Sequence, residues 1–323
     1  MKNLVKHVQN MNALHHMWVD FDTIILGVSG GPDSMCLLDV MIKIAKKEQL
    51  TLIVAHINYG LRDNDSQRDQ QLVESVAHEH GLPCETLIVD HMTQSNEELW
   101  RNIRYNYFEK LRIKYSAQCI MVAHNKNDQA ETFLLHLLRG SGLGGLVGMR
   151  FVSPNYVIRP LLSVSRDIII TYCKKNNVMY NIDHTNSNPT FARNRIRTRL
   201  IPYLQKNYNP QIVSVLARTA EMIAEDIKAL DTLVTVFWKT NQEKNTIRFE
   251  TKDFTHINTA LQRHCLMLMI RSLCGTTKNI EKGLIDELRK LILSTKNKNQ
   301  TFSGKDLKMH RKGDTVIFTC CKS

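Results

Sequence analysis

The chain has 323 residues, of which 43% are hydrophobic and 23% are charged. This composition excludes a largely disordered polymer, and no apolar run approaches the roughly 18 residues that a membrane span requires. The 43 Lys and Arg residues outnumber the 31 Asp and Glu residues, which gives a formal net charge of +12. Such an excess attracts polyanions, so nucleic acid is the leading class of partner. The alternative is that the positive charge only reflects a generally basic proteome and serves no particular partner.

The first two thirds of the chain alternate between short apolar runs and stretches of helical periodicity. The apolar runs are residues 24–28, 52–56, 87–89 and 120–124, and the helical stretches between them are 34–45, 67–80 and 95–115. Ser95 and Glu98 form a capping-box pattern at the start of the third helix. Alternation of buried strands with helices predicts an α/β fold with a doubly wound parallel sheet.

The hydrophobic pattern changes after Asn209-Pro210, where a long helical pattern begins. Alternation typical of strands resumes only in 246–250 and 307–320. We therefore predict a first domain over 1–210, followed over 211–323 by a connecting helix and a smaller helical and α+β domain. Residues 289–312 contain eight Lys or Arg against the single Asp306. This segment suits contact with an RNA backbone, and a solvated basic face is the alternative.

The cysteines and the amino-terminal residues bear on the compartment. The eight cysteines are scattered and include no C-x-x-C pair, so they offer neither a thiolate metal cage nor a redox dithiol. The first residues show no apolar segment followed by small residues, as a secretory signal would. We expect a cytoplasmic protein.

The most specific motif follows the first apolar run and leads directly into a helix. It reads Ser29-Gly30-Gly31-Pro32-Asp33-Ser34. Glycines let backbone N–H groups converge on one point, and the helix N-terminus adds positive potential, so the loop suits a phosphate. It lacks the lysine of a Walker A motif and the G-x-S-x-G pattern of serine hydrolases. An ordinary strand-to-helix turn is the alternative.

This loop resembles the PP-loop of the N-type ATP pyrophosphatases, which cleave ATP between the α and β phosphates and often adenylate a carbonyl oxygen. Further segments narrow this class: residues 55–62, 123–132, 139–146, 159–162, Asp183, 193–197 and 200–202. Together they resemble the tRNA(Ile)-lysidine synthetase family, with departures at Tyr59, Asn125 and Asn127.

The resemblance implies an ATP-dependent ligase that attaches free L-lysine to the C2 of the wobble cytidine in tRNA(Ile) with a CAU anticodon. Lysidine, AMP and pyrophosphate would be the products, and an adenylated tRNA the intermediate. The implied ATP-binding residues are Ser29, Gly30, Gly31, Pro32, Asp33, Ser34 and His56. The implied catalytic residues are Asp33, Arg104, Asp128, Glu131 and Arg193, with Mg²⁺ near Asp33 and Asp128.

Two of these acids stand out without the resemblance. Asp128 and Glu131 lie three residues apart on one face of a predicted helix that begins near Asn127, beside the end of the strand that reaches His124. Paired acids at the mouth of a sheet can hold Mg²⁺ or a cationic substrate. The alternative is that they only offset the helix dipole.

Alternating arginines at 193, 195, 197 and 199 form the densest basic segment of the first domain. If the segment is extended, the arginines face two sides; if it is helical, Arg193 and Arg197 share one face. The resemblance places them against ATP phosphates and tRNA. The glycines at 140–148 include G-x-G-x-x-G, but they follow a helix instead of a strand, so we interpret them as a loop near the site.

Two other functions compete with lysine ligation. One is ATP-dependent thiolation of tRNA by a PP-loop enzyme, which usually displays cysteine pairs that this chain lacks. The other is an inactive RNA-binding protein that keeps only the fold. The presence of Asp33, Asp128 and Glu131 argues against the second.

Overall fold

A computed structural model describes residues 3–60, 63–89, 97–181, 192–238, 242–243, 245–275, 280–295, 299–304 and 306–321. The predicted cap Ser95, the motif residue Asp183 and three lysines of the basic segment, Lys296, Lys298 and Lys305, lie outside the described residues. Two compact units divide the chain, Met1–Glu221 and Met222–Ser323. The division falls within a long helix, on the carboxyl-terminal side of the boundary we predict at residue 210.

The first unit is built on a five-stranded parallel sheet with the order β3-β2-β1-β4-β5. Its strands are β1 Thr23–Gly27, β2 Thr51–Asn58, β3 Cys84–Ile88, β4 Cys119–Met121 and β5 Val157–Ile158. Its helices are α1 Leu4–His15, α2 Pro32–Glu48, α3 Asp63–Glu79, α4 Glu97–Lys114, α5 Lys126–Leu138, α6 Leu143–Leu146, α7 Arg166–Lys175, α8 Ala192–Arg195, a π-helix over Ile196–Leu200, and α9 Ile201–Asn207. The predicted α/β class is confirmed.

Helices cover both faces of this sheet, as a doubly wound fold requires. Successive residues of β1 point to opposite faces, so Ile24 packs into the core that contains α2 while Ile25 packs with Phe108 and Leu111 of α4. Both isoleucines are fully buried. A strand buried on both faces must be apolar throughout, which explains the continuous hydrophobic run in the sequence.

The strand order determines where the site lies. The chain moves outward from β1 to β2 and β3, then returns across β1 to β4. In open parallel sheets a crevice forms at such a reversal, outside the carboxyl ends of the two strands. The loop at 29–34 follows β1 and the acids at 128 and 131 follow β4, so both predicted motifs lie at this crevice.

The second unit contains an antiparallel sheet with the order β6-β7-β10-β9-β8, and helices pack against it. The long helix α10, Ile212–Trp238, leads into it. The remaining elements are β6 Gln242–Glu243, β7 Thr246–Glu250, α11 Thr251–Thr255, α12 Thr259–Cys274, α13 Lys282–Leu293, β8 Asn299–Ser303, β9 Leu307–Lys312 and β10 Thr315–Cys320. The predicted run 307–320 is thus a hairpin, because Gly313 adopts a left-handed conformation and reverses the chain.

The helices of the described ranges differ from membrane-spanning segments in length and polarity. None of them combines the length and apolar character that a bilayer crossing requires.

Candidate active site

The loop after β1 is held open by a glycine that no other residue could replace without strain. Gly30 has φ of +86°, and a Cβ there would come within 3.0 Å of Asp69 Oδ1. Asn181 fixes the loop from the other side, because its N–H donates to the Gly30 carbonyl at 3.0 Å and its Nδ2 donates to Asp69 Oδ1 at 2.8 Å. The Gly30 peptide is therefore presented in one orientation.

Ser34 ties the loop to the first turn of α2. Its hydroxyl donates to the Gly31 carbonyl at 3.0 Å and accepts from the Ser29 N–H at 3.1 Å. Pro32 occupies the start of the helix, where its missing N–H costs nothing. First-turn N–H groups have no acceptor within the helix, so those of Asp33 and Ser34, two residues that line the crevice, are available to an anion. This arrangement forms an anion cradle made of backbone.

Asp33 links the cradle to α5 and α7. Its Oδ1 accepts a hydrogen bond from Asn125 Nδ2 at 2.9 Å, and its Oδ2 lies 3.6 Å from Arg166 Nη1. Burial raises the pKa of Asp33 above its usual value, and the nearby charge of Asp128 adds to this effect, while Arg166 and Asn125 act against it. A cation that reaches this carboxylate would relieve an unfavourable charge.

Asn125 is a site residue that our sequence analysis noted only as a departure from the family pattern. It is almost fully buried and caps α5 in a capping box with Asp128: the Asn125 side chain accepts from the N–H of Asp128, and Asp128 Oδ2 accepts from the N–H of Asn125. The same Asn125 side chain donates to Asp33. An N-cap asparagine three residues before an acid is a recognisable signal, so this role was accessible from the sequence.

Asp128 and Glu131 meet Arg193 and Arg197 in a four-residue ionic cluster. Glu131, which is only 1% exposed, binds Nε of Arg193 at 2.9 Å and Nη2 of Arg197 at 3.0 Å. Asp128 Oδ1 lies 3.0 Å from Arg197 Nη2 and 3.4 Å from Arg193 Nη2. The arginine segment is therefore helical, and Arg193 and Arg197 share one face.

This cluster explains how Arg197 stays charged at a partly buried position. Burial acts to lower its pKa, but the carboxylates of Glu131 and Asp128 reverse that effect and raise the pKa of Arg197 above its usual value. Each arginine contacts both acids, so two positive and two negative charges balance. Both predicted acids are brought together, and both already have cationic partners.

The acids limit where a divalent cation could be held. One oxygen of Asp128 caps α5 and the other faces two arginines, whereas Asp33 has, among the described residues, Asn125 and the more distant Arg166 as its side-chain partners. Within the described residues, no group of three or more His, Cys, Asp and Glu side chains gathers as a metal cage. Mg²⁺ often uses only one or two carboxylates together with substrate phosphates, and Asp33 beside the cradle fits that pattern.

The two histidines at strand ends differ in their surroundings. His56 Nδ1 lies 2.9 Å from the Val28 carbonyl, which makes Nδ1 the protonated nitrogen and leaves the buried Nε2 as an acceptor with no partner among the described residues. Burial lowers the pKa of His56, so the imidazole is neutral. Burial, and then the charges of Arg159, Arg104, Arg193 and Arg101, hold the pKa of His124 well below its usual value.

A cavity of about 930 Å³ opens beside the cradle and receives most of the predicted site residues. Those that line it are Ser29, Gly31, Pro32, Asp33, Ser34, His56, Arg104 and Glu131. Gly30, Asp128 and Arg193 are not part of this lining, but each contacts a residue that is. Arg166, Trp100 and Asn181 also line the cavity. The sequence did not predict them as site residues, because no motif around them distinguishes them from other surface residues.

The loop at 29–34 offers backbone N–H groups to a phosphate and carries no Walker A lysine, which places the chain in the PP-loop class of nucleotide-binding proteins. The profile of the PP-loop domain matches residues 3–204. The tRNA(Ile)-lysidine synthase of Clostridium tetani is 33% identical over 319 residues, 95% of this chain and 68% of that protein. The synthase of Caldanaerobacter subterraneus is 35% identical, over 84% of this chain and 60% of its own length. The chain thus belongs to the tRNA(Ile)-lysidine synthase family.

Among solved structures, the U34-tRNA thiolase of Methanococcus maripaludis has a TM-score of 0.58, with 17% identity over 69% of this chain and 78% of that one. At this identity the likeness concerns the fold alone. The chain spans roughly two thirds of the length of the two synthases described above.

Proposed function

We propose that this protein is an ATP-dependent ligase that joins L-lysine to C2 of the wobble cytidine in CAU-anticodon tRNA(Ile), forming lysidine and releasing AMP and pyrophosphate. Family membership supports this reaction. The observation that carries the proposal is the position of the Asp128–Glu131–Arg193–Arg197 cluster, directly beside a phosphate cradle. Such a site can bind a polyphosphate and an amine in the same cavity. We expect it to act in the cytoplasm.

In the first step, O2 of the cytidine attacks the α-phosphate of ATP, a P–O bond forms, and the bond to pyrophosphate breaks. The backbone N–H groups of the loop at 29–34 would bind the departing pyrophosphate as its charge develops. His56 Nε2, a buried acceptor at the cavity wall, would receive a hydroxyl or amino donor of the nucleoside. Arg104 and Arg166 would add positive charge on the same wall.

A magnesium ion suits this step, and Asp33 is the carboxylate best placed to hold it. Asp128, the second predicted ligand, would first have to give up an arginine contact. When bound, Mg²⁺ would neutralise phosphate oxygens.

In the second step the lysine ε-amine attacks C2, a C–N bond forms, and the C2–O bond to AMP breaks, so that AMP leaves with the electron pair. The amine must lose a proton, and a carboxylate of Asp128 or Glu131 would accept it. Both acids bind arginines in the free protein, so the ammonium of lysine would compete for them. Phosphates near Arg193 and Arg197 would weaken these ion pairs and favour the exchange.

ATP-dependent thiolation of tRNA is the competing reaction, since it uses the same adenylation. Of its potential sulfur carriers, Cys36 of α2 and Cys173 of α7 are fully buried. The names of the relatives favour lysine as the second substrate.

The two steps can be separated by supplying the substrates in turn. With ATP and tRNA alone, we expect pyrophosphate and an adenylated tRNA that holds label from [α-³²P]ATP. Adding lysine should release labelled AMP, whereas adding ornithine in place of lysine should release little. Release of AMP that depends on a sulfur donor instead would support thiolation. No pyrophosphate under any condition would support the inactive RNA-binding protein.

A further inference from the structure

A second concavity lies beside the arginine segment. Helix α5 and the stretch from α8 to α9 enclose an open, mostly apolar groove of about 620 Å³. The lining residues used below are Leu135, Leu138, Arg139, Ile196, Arg199 and Tyr203. All of its lining residues lie within the described part of the chain, and no acid is among them.

The groove exists because different faces of one helical segment carry different side chains. Arg193 and Arg197, four residues apart, reach the carboxylates of α5. Ile196 and Arg199 belong to other faces of the same segment and turn to the groove. The segment thus contributes to two environments, the acid-balanced cluster with α5 and the basic, mostly apolar groove.

The groove exposes more apolar and aromatic surface than isolated side chains on a soluble protein would. Leu138 is 68% exposed and Tyr203 is 55% exposed. Tyr208, which is 72% exposed, supports Tyr203 with a ring-centroid distance of 5.9 Å. An aromatic platform flanked by arginines is the pattern with which proteins hold unpaired RNA bases, because the bases stack while the cations meet the phosphates.

The groove and the reaction cavity share helix α5. Glu131 contacts Arg193 and Arg197 in the cluster, and Leu138 lies seven residues further along the same helix, a rise of about 10 Å. A nucleotide inserted into the cavity would therefore bring its immediate neighbour near Tyr203.

We propose that this groove binds the unpaired base next to the target nucleotide, stacked on Tyr203, while Arg139 and Arg199 contact the adjoining phosphates. The inference rests on the proposed function, since it takes the substrate to be an RNA loop. It goes further by assigning a flanking-base site to residues outside the catalytic cluster. A protein partner fits less well. The groove lining contains arginines and no acid, so a protein that binds there would need an unusually acidic surface, whereas every RNA carries phosphates.

The test uses the full chain and two anticodon stem-loop RNAs with a CAU loop. One carries 2-aminopurine immediately 5′ of the target cytidine, and the other carries it immediately 3′. We expect the wild type to quench one of the two probes on binding. Tyr203→Ala should abolish that quenching and weaken binding about five- to a hundredfold, the range for loss of one base–aromatic stack. Tyr203→Phe should retain both.

Leu138→Glu provides a second variant, because this exposed position tolerates a polar side chain and the new charge would repel phosphate. We expect weakened RNA binding and unchanged ATP binding. Phe21→Ala is the matched control. Phe21 is 73% exposed and precedes β1, at the amino-terminal end of the strands, whereas the site lies at their carboxyl ends. This variant should behave as the wild type.

The outcomes separate the groove from the reaction. If the wild type forms lysidine but Tyr203→Ala and Leu138→Glu bind the probes as the wild type does, the groove assignment is wrong and the reaction stands. If the probes show Tyr203-dependent quenching but no lysidine forms, the groove stands and the reaction is wrong. If the variants change only the sedimentation of the protein, the groove is a self-association surface and the assignment is again wrong.

Discussion

Arg197 holds Glu131 through both of its carboxylate oxygens, with Nε against Oε1 and Nη2 at 3.0 Å from Oε2. This pair joins the helix that follows β4 to a segment more than sixty residues further along the chain. The carboxylate is buried, so its charge depends on the arginines for compensation. The pair is therefore both a structural connection and the part of the site where an amine substrate would compete with an arginine.

Removal of the carboxylate should destabilise the first unit. Glu131→Ala leaves Arg193 and Arg197 with Asp128 as their only acid in the cluster, and we expect the free energy of unfolding to fall by about 3 kcal/mol. Urea denaturation measures this change. Glu109→Ala is the control, because it also removes the acid of an arginine pair, at a less buried carboxylate on α4, and should cost under about 1 kcal/mol. Equal losses in the two variants would contradict a special role for Glu131.

Glu131→Gln separates the two chemical steps. A neutral amide keeps the size of the side chain and can still accept a hydrogen bond from an arginine, but it cannot pair with an ammonium or take its proton. We expect ATP binding and tRNA adenylation to remain and lysine transfer to fall by at least a hundredfold. Single-turnover assays with labelled ATP and labelled lysine measure both steps. Wild-type transfer would reduce Glu131 to a structural residue.

Asp33→Asn should abolish ATP-dependent adenylation without unfolding the protein. Asn can still accept from Asn125, and loss of a buried charge whose pKa is already raised costs little stability. Pyrophosphate release at saturating tRNA is the measurement. Asp167→Asn is a close control, because Asp167 occupies the same second position of α7 that Asp33 occupies in α2, with its side chain exposed. Near-normal release by Asp33→Asn would exclude Asp33 from catalysis.

The stability of the protein should decline on mild acidification. The folded state holds His56 and His124 with lowered pKa values, so the unfolded chain binds more protons below about pH 6.5. Stability should therefore be highest above pH 7 and fall from about pH 6.5 downward. On acidification the Tm of His124→Gln should fall less than that of the wild type, whereas the Tm of the exposed His78→Gln should fall as much as that of the wild type. If the difference in Tm between His124→Gln and the wild type is the same at every pH, protonation of His124 does not contribute to the loss of stability.

The second unit should contribute affinity for tRNA without selectivity. Alternation in β9 buries Met309 and Arg311 and exposes Lys308, His310 and Lys312. Neutralising Lys308 and Lys312 together should weaken cognate and non-cognate tRNA equally and reduce the slope of log K against log salt by about 0.7 to 0.9 per lost phosphate contact. The rate at saturating tRNA should hardly change.

A matched pair of lysines at the end of α2 controls for the loss of two charges. Lys46 and Lys47 are exposed in the last turn of that helix, away from the crevice. Lys46→Gln with Lys47→Gln should leave the salt slope as it is. If the β9 variant also keeps its slope, tRNA is bound elsewhere, with the arginines at 193–199 as the next candidates.

Local patterns were sufficient for much of the fold. Continuous apolar runs such as 24–28 predicted strands buried on both faces, and the loop at 29–34 carried its own signal in glycine, proline and the helix that follows. Strand β5 was missed because two residues, Val157 and Ile158, are too short to show a period. Strand β8 was missed because its polar sequence resembles a loop.

The partners within the site could not be read locally. Asn125 reaches Asp33 across 92 residues of chain, and Arg166 reaches it from α7. The sequence presented Glu131 as an acid available to a substrate, whereas the fold pairs it with two arginines. Only the return of α8 and the π-helix to α5 reveals that pairing, and the same return creates the groove beside Tyr203.

The most direct test of the central claim is a nucleoside digest of tRNA(Ile) with a CAU anticodon after incubation with this protein, ATP and ¹⁴C-labelled lysine. We predict that the label appears in one modified cytidine whose mass equals cytidine plus lysine minus water. The product should require ATP, be absent with Glu131→Gln and with Asp33→Asn, and be formed by Asp167→Asn. Unmodified cytidine at the wobble position, with wild-type protein that binds ATP and the tRNA, would contradict the assignment.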